Sequence, residues 1–512
     1  MKEETEKRER GAGVLMSISS LPSPHGIGTM GRAAREWVDF LCEAGQSYWQ
    51  VLPIGPTGFG DSPYQSFSAF AGNPYFIDLD LLQEEGLLSK DDIDSVDWAE
   101  DESKVSYGVL FENRERLLRK AEKNFNDEKQ LAAFIEKNKD WIMEYALYMS
   151  IKAANDLKAW TQWQEPLRLH LPQAVSEAKK KYEKDIRYHC FVQYLFFKQW
   201  KDLKEYANSR GVRIIGDIPI YVSMDSSDVW CNNELFLLDE NKTPIAIAGC
   251  PPDAFAPDGQ LWGNPLYRWD VLKETKYHWW HERLHHCLLM YDILRIDHFR
   301  GLESYYSIPY GDSTAKNGKW EKGPGIDFIK AINSKFGKAE IIAEDLGFLT
   351  EEVTDLLKQS GYPGMKVLQF AFDSREESDY MPFRYSKNSI AYTGTHDNDT
   401  VKGWFETAPE DDVKTAKMFL GVNNSSSGVW AFIRNVLSSH SKLAVIPMQD
   451  YLLLGSSARM NTPSTIGGNN WCWRMKADAL SPKLAKKMHA LSKVNGRLTV
   501  SADCSCVKHQ LI

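Results

Sequence analysis

Eight short apolar runs punctuate the chain, at residues 13–18 (GVLMSI), 48–53 (YWQVLP), 212–216 (VRIIG), 292–296 (DILRI), 339–343 (AEIIA), 365–372 (MKVLQFAF), 389–393 (SIAYT) and 443–446 (LAVI). Most are rich in Val, Ile and Leu without polar alternation, which predicts strands buried on both faces of a parallel sheet. Between several of them lie helix-patterned segments, at 29–44, 327–336 and 351–360. Strand–helix alternation repeated eight times predicts an α/β fold, a (β/α)8 TIM barrel. A doubly wound open sheet is the rival, since periodicity does not separate closed from open.

The spacing is uneven. About 160 residues separate the second run from the third, and about 75 separate the third from the fourth. The first gap is Lys/Glu-rich and helix-patterned, notably over 107–124 and 134–160, and predicts a largely helical insertion over 75–205. The second, over 217–290, is rich in Gly, Pro and Asn at PPDAFAPDGQLWGNP (251–265) and predicts a lid or loop insertion. Both follow a strand, so in a barrel they extend the C-terminal face, where active sites sit. The expected organisation is one catalytic barrel over 1–512 with two insertions, not three or four independent domains.

Composition narrows the function. Apolar residues make up 43% and charged residues 26%, which excludes collagen-like, low-complexity and wholly disordered chains. Lys and Arg total 61 against 70 Asp and Glu, a net charge of −9 that argues against nucleic acid or an anionic membrane as the main partner. Aromatics reach 12%, with 17 Trp, 22 Tyr and 23 Phe; they fit a large core or a ligand with flat apolar faces, such as a sugar. No run reaches the roughly 18 apolar residues of a membrane span or resembles a secretory h-region, so a cytoplasmic protein is expected. The eight cysteines are scattered like reduced thiols, and the Cys504–Cys506 pair carries little metal weight.

Three carboxylates follow strands directly: Asp297 ends LRID, Glu344 ends IIAE, and Asp397 follows AYTGTH. Acids at strand ends are often only turn formers or helix caps. Three that would share one barrel mouth, with Arg295, His298 and His396 beside them, suit glycosyl transfer. An oxocarbenium-like transition state needs a carboxylate on one face of the sugar and a carboxylic acid at the leaving oxygen. Arg295, one pleat step from Asp297, could hold it ionised, and the third acid would raise Glu344 by repulsion.

Around these residues the chain resembles the amylomaltases, 4-α-glucanotransferases (disproportionating enzymes) of the α-amylase clan. The motifs are GDIPIYV (216–222), LRIDHFRG (294–301), IIAEDLG (341–347), YTGTHDNDT (392–400), SPYQSFSAFAGNPYFIDL (62–79), PPDAFAPDGQLWGNP (251–265) and NTPSTIGGNNWCWR (461–474). They span nearly the whole chain. The resemblance implies Asp297 as nucleophile, Glu344 as general acid/base and Asp397 as transition-state stabiliser. It implies further that Arg295 and His396 contact the nucleophile and the sugar, that Tyr64 stacks under the sugar, that Asp217 lines the same pocket, that Trp262 covers the glucan, and that Asn461 meets it. The implied reaction is a retaining double displacement on α-1,4-glucans and maltooligosaccharides. It needs no cofactor and no metal, and a monomer or homodimer is expected.

Three alternatives stand beside this reading. One is an α-glucan hydrolase on the same site; another is a glucan-binding protein without turnover, against which the three intact acids argue. The third is the zinc-protease string HExxH, present as His281–His285. It has no third ligand at the expected spacing, and Leu288 stands where a glycine would be needed. A pair of surface-helix histidines is the reading preferred. The last residues, LTVSADCSCVKHQLI (498–512), depart from the family's usual finish and receive no function.

Overall fold

The computed structural model describes residues 10–98, 101–252, 256–347, 349–375 and 377–499. Eight parallel strands form the central sheet: β1 (Gly11–Leu15), β2 (Tyr48–Gln50), β3 (Arg213–Ile218), β6 (Ile293–Ile296), β9 (Ile341–Ala343), β10 (Gly364–Val367), β11 (Ser389–Tyr392) and β12 (Leu443–Pro447). Their order is β10-β11-β12-β1-β2-β3-β6-β9, every neighbouring pair parallel. Each falls on one of the eight apolar runs. Their side chains are buried almost throughout, as expected where helices cover one face and the barrel interior fills the other.

Closure joins β9 to β10. The Ala343 N–H donates to the Pro363 carbonyl at 3.0 Å, and the Met365 N–H donates to Asp345 Oδ1 at 2.5 Å. A Cβ on Gly364 would lie 2.5 Å from Asp345 Oδ2, so the closing contact requires glycine there. The architecture is a (β/α)8 barrel.

One strand is shorter than its run. Residues 365–372 predict a single strand, but β10 stops at Val367 and Leu368–Phe372 turns as a 3-10 helix. Leu368, Ala371 and Phe372 are buried all the same. An unbroken apolar run reports burial, which either backbone state satisfies.

Between β2 and β3 the chain is helical, including Tyr107–Asn124, Ile142–Ala154, Pro172–Lys181 and the long helix Glu183–Ser209. Buried glutamines on the last of these fix the segment that follows β2. Gln193 exchanges two hydrogen bonds with the Gly72 backbone, at 2.8 and 2.9 Å, and Gln199 accepts from the Asp78 N–H at 2.7 Å.

The segment expected as a loop after β3 holds strands β4 (Ala246–Cys250) and β5 (Gln260–Pro265). They join β7 (Ser304–Pro309) and β8 (Lys319–Lys322) in a four-stranded antiparallel sheet of order β5-β4-β7-β8. Glycines and prolines hide these strands from a periodicity reading, and β4 meets β7 only because the barrel brings the two barrel-strand extensions together. No helix among the described residues is long and apolar enough to cross a membrane.

Candidate active site

Strands β3, β6 and β9 lie side by side, and their C-terminal ends supply Asp217, Arg295, Asp297 and Glu344. Asp217 pairs with Arg295 in register across β3 and β6. Side chains of directly paired residues point the same way. Arg295 Nη1 therefore reaches both Asp217 oxygens at 2.6 Å, and it also lies 3.0 Å from Asp297 Oδ1. Its second terminal nitrogen lies 4.0 Å from Glu344 Oε2, and its Nε donates to the Met365 sulfur at 3.4 Å. One guanidinium thus serves three carboxylates.

Tyr64 and His396 complete this layer. The Tyr64 hydroxyl donates to Asp217 Oδ2 at 2.7 Å, and its ring stacks on His396 with centroids 5.0 Å apart and planes 19° apart. Trp471 tilts against both rings, at 5.9 and 6.0 Å. Across the barrel from Asp297, Asp397 follows β11. His396 Nε2 is 3.4 Å from its Oδ2, and Asn461 Nδ2 donates to its Oδ1 at 2.7 Å.

Exposure separates side chains that can meet a ligand from those that cannot. Asp397 is 47% exposed, Asp297 26% and Glu344 12%, whereas Arg295 is 4% and Asp217 0%. Arg295 reaches Asp297, and Asp217 lines the cavity beside Tyr64 while its oxygens are taken by Arg295 and the Tyr64 hydroxyl. Asn461 directs its amide nitrogen to Asp397.

Electrostatics follow from burial. Burial pushes the Asp297 and Glu344 carboxyls above the ordinary carboxylate range, and Arg295 opposes this in both. Amides of His298 and Leu346 donate to Glu344 and also oppose the shift. The repulsion expected from Asp397 is not what raises Glu344; burial leads, with Asp345 the adjacent acid. Burial, then the charge of Asp217, holds the Tyr64 phenol well above its usual range, so it stays a donor. Burial works against the charge on Arg295, and Asp217, then Asp297, more than offset it.

Trp262 stands on β5 at the rim. Its ring meets His298 edge-on at 4.9 Å, and its indole N–H is taken by Gln260 Oε1 at 3.0 Å. Gln65 braces it, donating to the Trp262 carbonyl at 3.2 Å and to Asn264 Oδ1 at 3.1 Å.

A family model described as 4-alpha-glucanotransferase matches residues 16–480. The chain belongs to the 4-alpha-glucanotransferase family. A 4-alpha-glucanotransferase of Clostridium butyricum is 49% identical over 486 residues, covering 94% of this chain and all of that one. One from Streptococcus pneumoniae is 47% identical over 496 residues, covering 96% and 98%. Among solved structures, the amylomaltase of Streptococcus agalactiae in complex with acarbose superposes with a TM-score of 0.93 at 43% identity, covering 96% of this chain and 100% of that one. The activity of this 4-alpha-glucanotransferase is transfer of α-1,4-glucan segments from a donor glucan to an acceptor.

The zinc-protease reading does not survive in this 4-alpha-glucanotransferase. His281, Glu282 and His285 ride the helix His278–Met290, where Glu282 pairs with Lys335 at 3.4 Å and His281 packs on Phe336. They form no ligand cluster among the described residues. Cys504 and Cys506 lie outside the described residues.

Sequence reasoning missed Arg459. Its Nη2 donates to the Asp397 carbonyl and its Nε to the Asn461 carbonyl, each at 2.7 Å, so it fixes both the third acid and the amide that holds it. Nothing local marks it. The only signal was its position two residues before the NTPST string.

Proposed function

We propose that Asp297, Glu344 and Asp397 carry the transfer as a retaining double displacement. Asp297 attacks the anomeric carbon of the donor glucan while Glu344 gives its proton to the leaving glycosidic oxygen, forming a glucosyl-enzyme ester and releasing the distal chain. Glu344, now a carboxylate, takes the proton from the 4-hydroxyl of an acceptor glucan as that oxygen attacks the same carbon. The ester bond breaks, Asp297 is restored as carboxylate, and the new α-1,4 bond keeps the original configuration. Asp397, held by Asn461 and Arg459, accepts from sugar hydroxyls and stabilises the positive charge that develops at the ring.

The single observation that carries these roles is the sharing of Arg295. Its Nη1 lies 3.0 Å from Asp297 but its nearest nitrogen is 4.0 Å from Glu344. Coulomb attraction falls with distance, so Arg295 favours charge on Asp297 over charge on Glu344. That is the division a nucleophile and an acid require.

His396 and Tyr64 form the floor of the cleavage subsite, and Trp262 covers the bound glucan. The insertions over 75–205 and 217–290 extend the barrel's C-terminal face and shape the groove. Water is kept from the ester by this cover and by a positioned acceptor, an advantage of up to about 7–11 kcal/mol in well-oriented reactions. The substrates are α-1,4-glucans and maltooligosaccharides, the enzyme works in the cytoplasm as a monomer or homodimer, and nucleic acid is not a partner. The net charge of −9 disfavours nucleic acid as a partner.

Incubation with maltotriose tests the proposal. Glucose together with longer maltooligosaccharides is expected, and Asp297→Asn should abolish their formation. Glucose and maltose alone would make the enzyme a hydrolase; turnover retained in Asp297→Asn would overturn the assignment of the nucleophile.

A further inference from the structure

Away from the acids around Arg295, three side chains of different chemistry converge. Glu144 lies in the first turn of the helix Ile142–Ala154, and His170 lies in the connector before the helix Pro172–Lys181. Cys231 closes the short helix Ser227–Cys231 that follows β3. One donor atom from each lies within 4.8 Å of the other two. Cys231 Sγ is 3.6 Å from Glu144 Oε2, and His170 Nε2 is 3.8 Å from the same oxygen.

These separations come near those of a coordination shell, the His170–Glu144 one being slightly longer. Tetrahedral zinc with Zn–S of about 2.3 Å and Zn–N and Zn–O of about 2.0 Å places its ligand atoms roughly 3.3–3.6 Å apart. The orientation of each donor is already fixed. Lys179 Nζ holds the other oxygen of Glu144, Oε1, at 2.8 Å, which leaves Oε2 facing the thiol and the imidazole. The His170 ring is set edge-on against Trp230, with centroids 4.5 Å apart. His170 Nε2 is enclosed, and the polar atom it faces is Glu144 Oε2, at 3.8 Å too far for a good hydrogen bond. An enclosed nitrogen without a hydrogen bond is costly unless something takes its lone pair or its proton.

We propose that Glu144 Oε2, His170 Nε2 and Cys231 Sγ bind a zinc ion through three protein ligands, with the fourth position open to solvent. Binding makes one Zn–S, one Zn–N and one Zn–O bond, releases the thiol proton to solvent, and changes no oxidation state. The thiolate and the carboxylate together balance the charge of the ion.

The site pins two insertions to each other, since Glu144 and His170 come from the helical segment before β3 and Cys231 comes from the segment after it. The consequence reaches the active site through the short helix that Cys231 ends. There Ser227 N–H donates to the Phe67 carbonyl at 2.9 Å, and Asp228 Oδ2 accepts from the Ala69 N–H at 2.7 Å. Those contacts brace the stretch that carries Tyr64. The expectation that no metal is needed concerned the chemistry of transfer; this ion would be a staple.

The test is a titration of the full-length, chelator-treated and desalted protein with Co²⁺ alone, followed by Zn²⁺ competition. One equivalent of Co²⁺ is expected to produce a thiolate-to-cobalt charge-transfer band with tetrahedral visible absorption, both abolished by Zn²⁺. Cys231→Ser should lose the charge-transfer band, and His170→Gln, which removes a ligand outright, should no longer bind one equivalent of Co²⁺ at the concentration that saturates the wild type. The double variant His281→Gln/His285→Gln should bind as the wild type does. Zinc should also raise the thermal midpoint of the wild type and leave that of His170→Gln unmoved. The proposal fails if the wild-type protein gives no charge-transfer band, a result that requires no variant to fold. It fails equally if the band persists in folded Cys231→Ser.

Discussion

Tyr64→Phe isolates one atom of the network behind the acids. The substitution removes the hydroxyl that donates to Asp217 Oδ2 at 2.7 Å and keeps the ring stacked on His396 at 5.0 Å. A hydrogen bond to a charged group contributes about 1.5–3 kcal/mol. Asp217 Oδ2 keeps Arg295 Nη1 at 2.6 Å, so it is not left bare, and the loss belongs at the lower end of that range. Should all of it reach the transition state through Arg295 and Asp297, kcat falls about tenfold, because about 1.4 kcal/mol is a factor of ten. KM for maltotriose should stay within about twofold, because no sugar contact of the ring is removed and uniform binding is preserved. The assay is initial glucose release from maltotriose, with thermal unfolding alongside; the midpoint should fall by no more than about 2–4 °C. Tyr64→Ala, which also removes the stack, should lose more. Two results would refute the reasoning. One is an unchanged kcat in folded Tyr64→Phe; the other is a loss confined to KM, which would make the hydroxyl a sugar contact rather than a support for Asp217.

Other outcomes follow from the same geometry. Burial raises both acids. Each therefore holds its proton above the ordinary carboxylate range, and kcat/KM should rise with pH as Asp297 ionises and fall again as Glu344 does. Glu344→Gln should lose the falling limb and about 10²–10⁴-fold in rate, and an acid limb at about pH 4 in the wild type would contradict the burial argument. Arg459→Ala removes the hydrogen bonds to the Asp397 and Asn461 carbonyls and should lower kcat by up to about 100-fold through misplacement of Asp397. Arg459→Lys should recover part of that loss, and an equal deficit in both variants would count against positioning. Trp262→Ala uncovers the rim and should raise the ratio of hydrolysis to transfer in maltotriose digests; an unchanged ratio would assign water exclusion to acceptor positioning alone.

Much of this could be read from the chain. The eight apolar runs fall on the eight barrel strands, because a strand buried on both faces leaves a local signature that needs no partner to be seen. The acids at 297, 344 and 397 stood out because the end of a barrel strand is a position defined along the sequence. The resemblance in the surrounding strings named the reaction, and the family match agrees.

What the tertiary structure decided is everything that depends on which strands become neighbours. Adjacency of β3 and β6 makes Asp217, which the resemblance places in the pocket, the buried partner of Arg295. Arg459 and Asp397 are 62 residues apart, and no spacing rule links them. The antiparallel sheet of β4, β5, β7 and β8 forms where extensions of two barrel strands meet, behind a glycine-rich string that reads as loop. Glu144, His170 and Cys231 come together only when two insertions pack. Local pattern reports whether a residue is buried and in which backbone state; long-range closure of the barrel decides what it is buried against, and the chemistry of this site lies in those second choices.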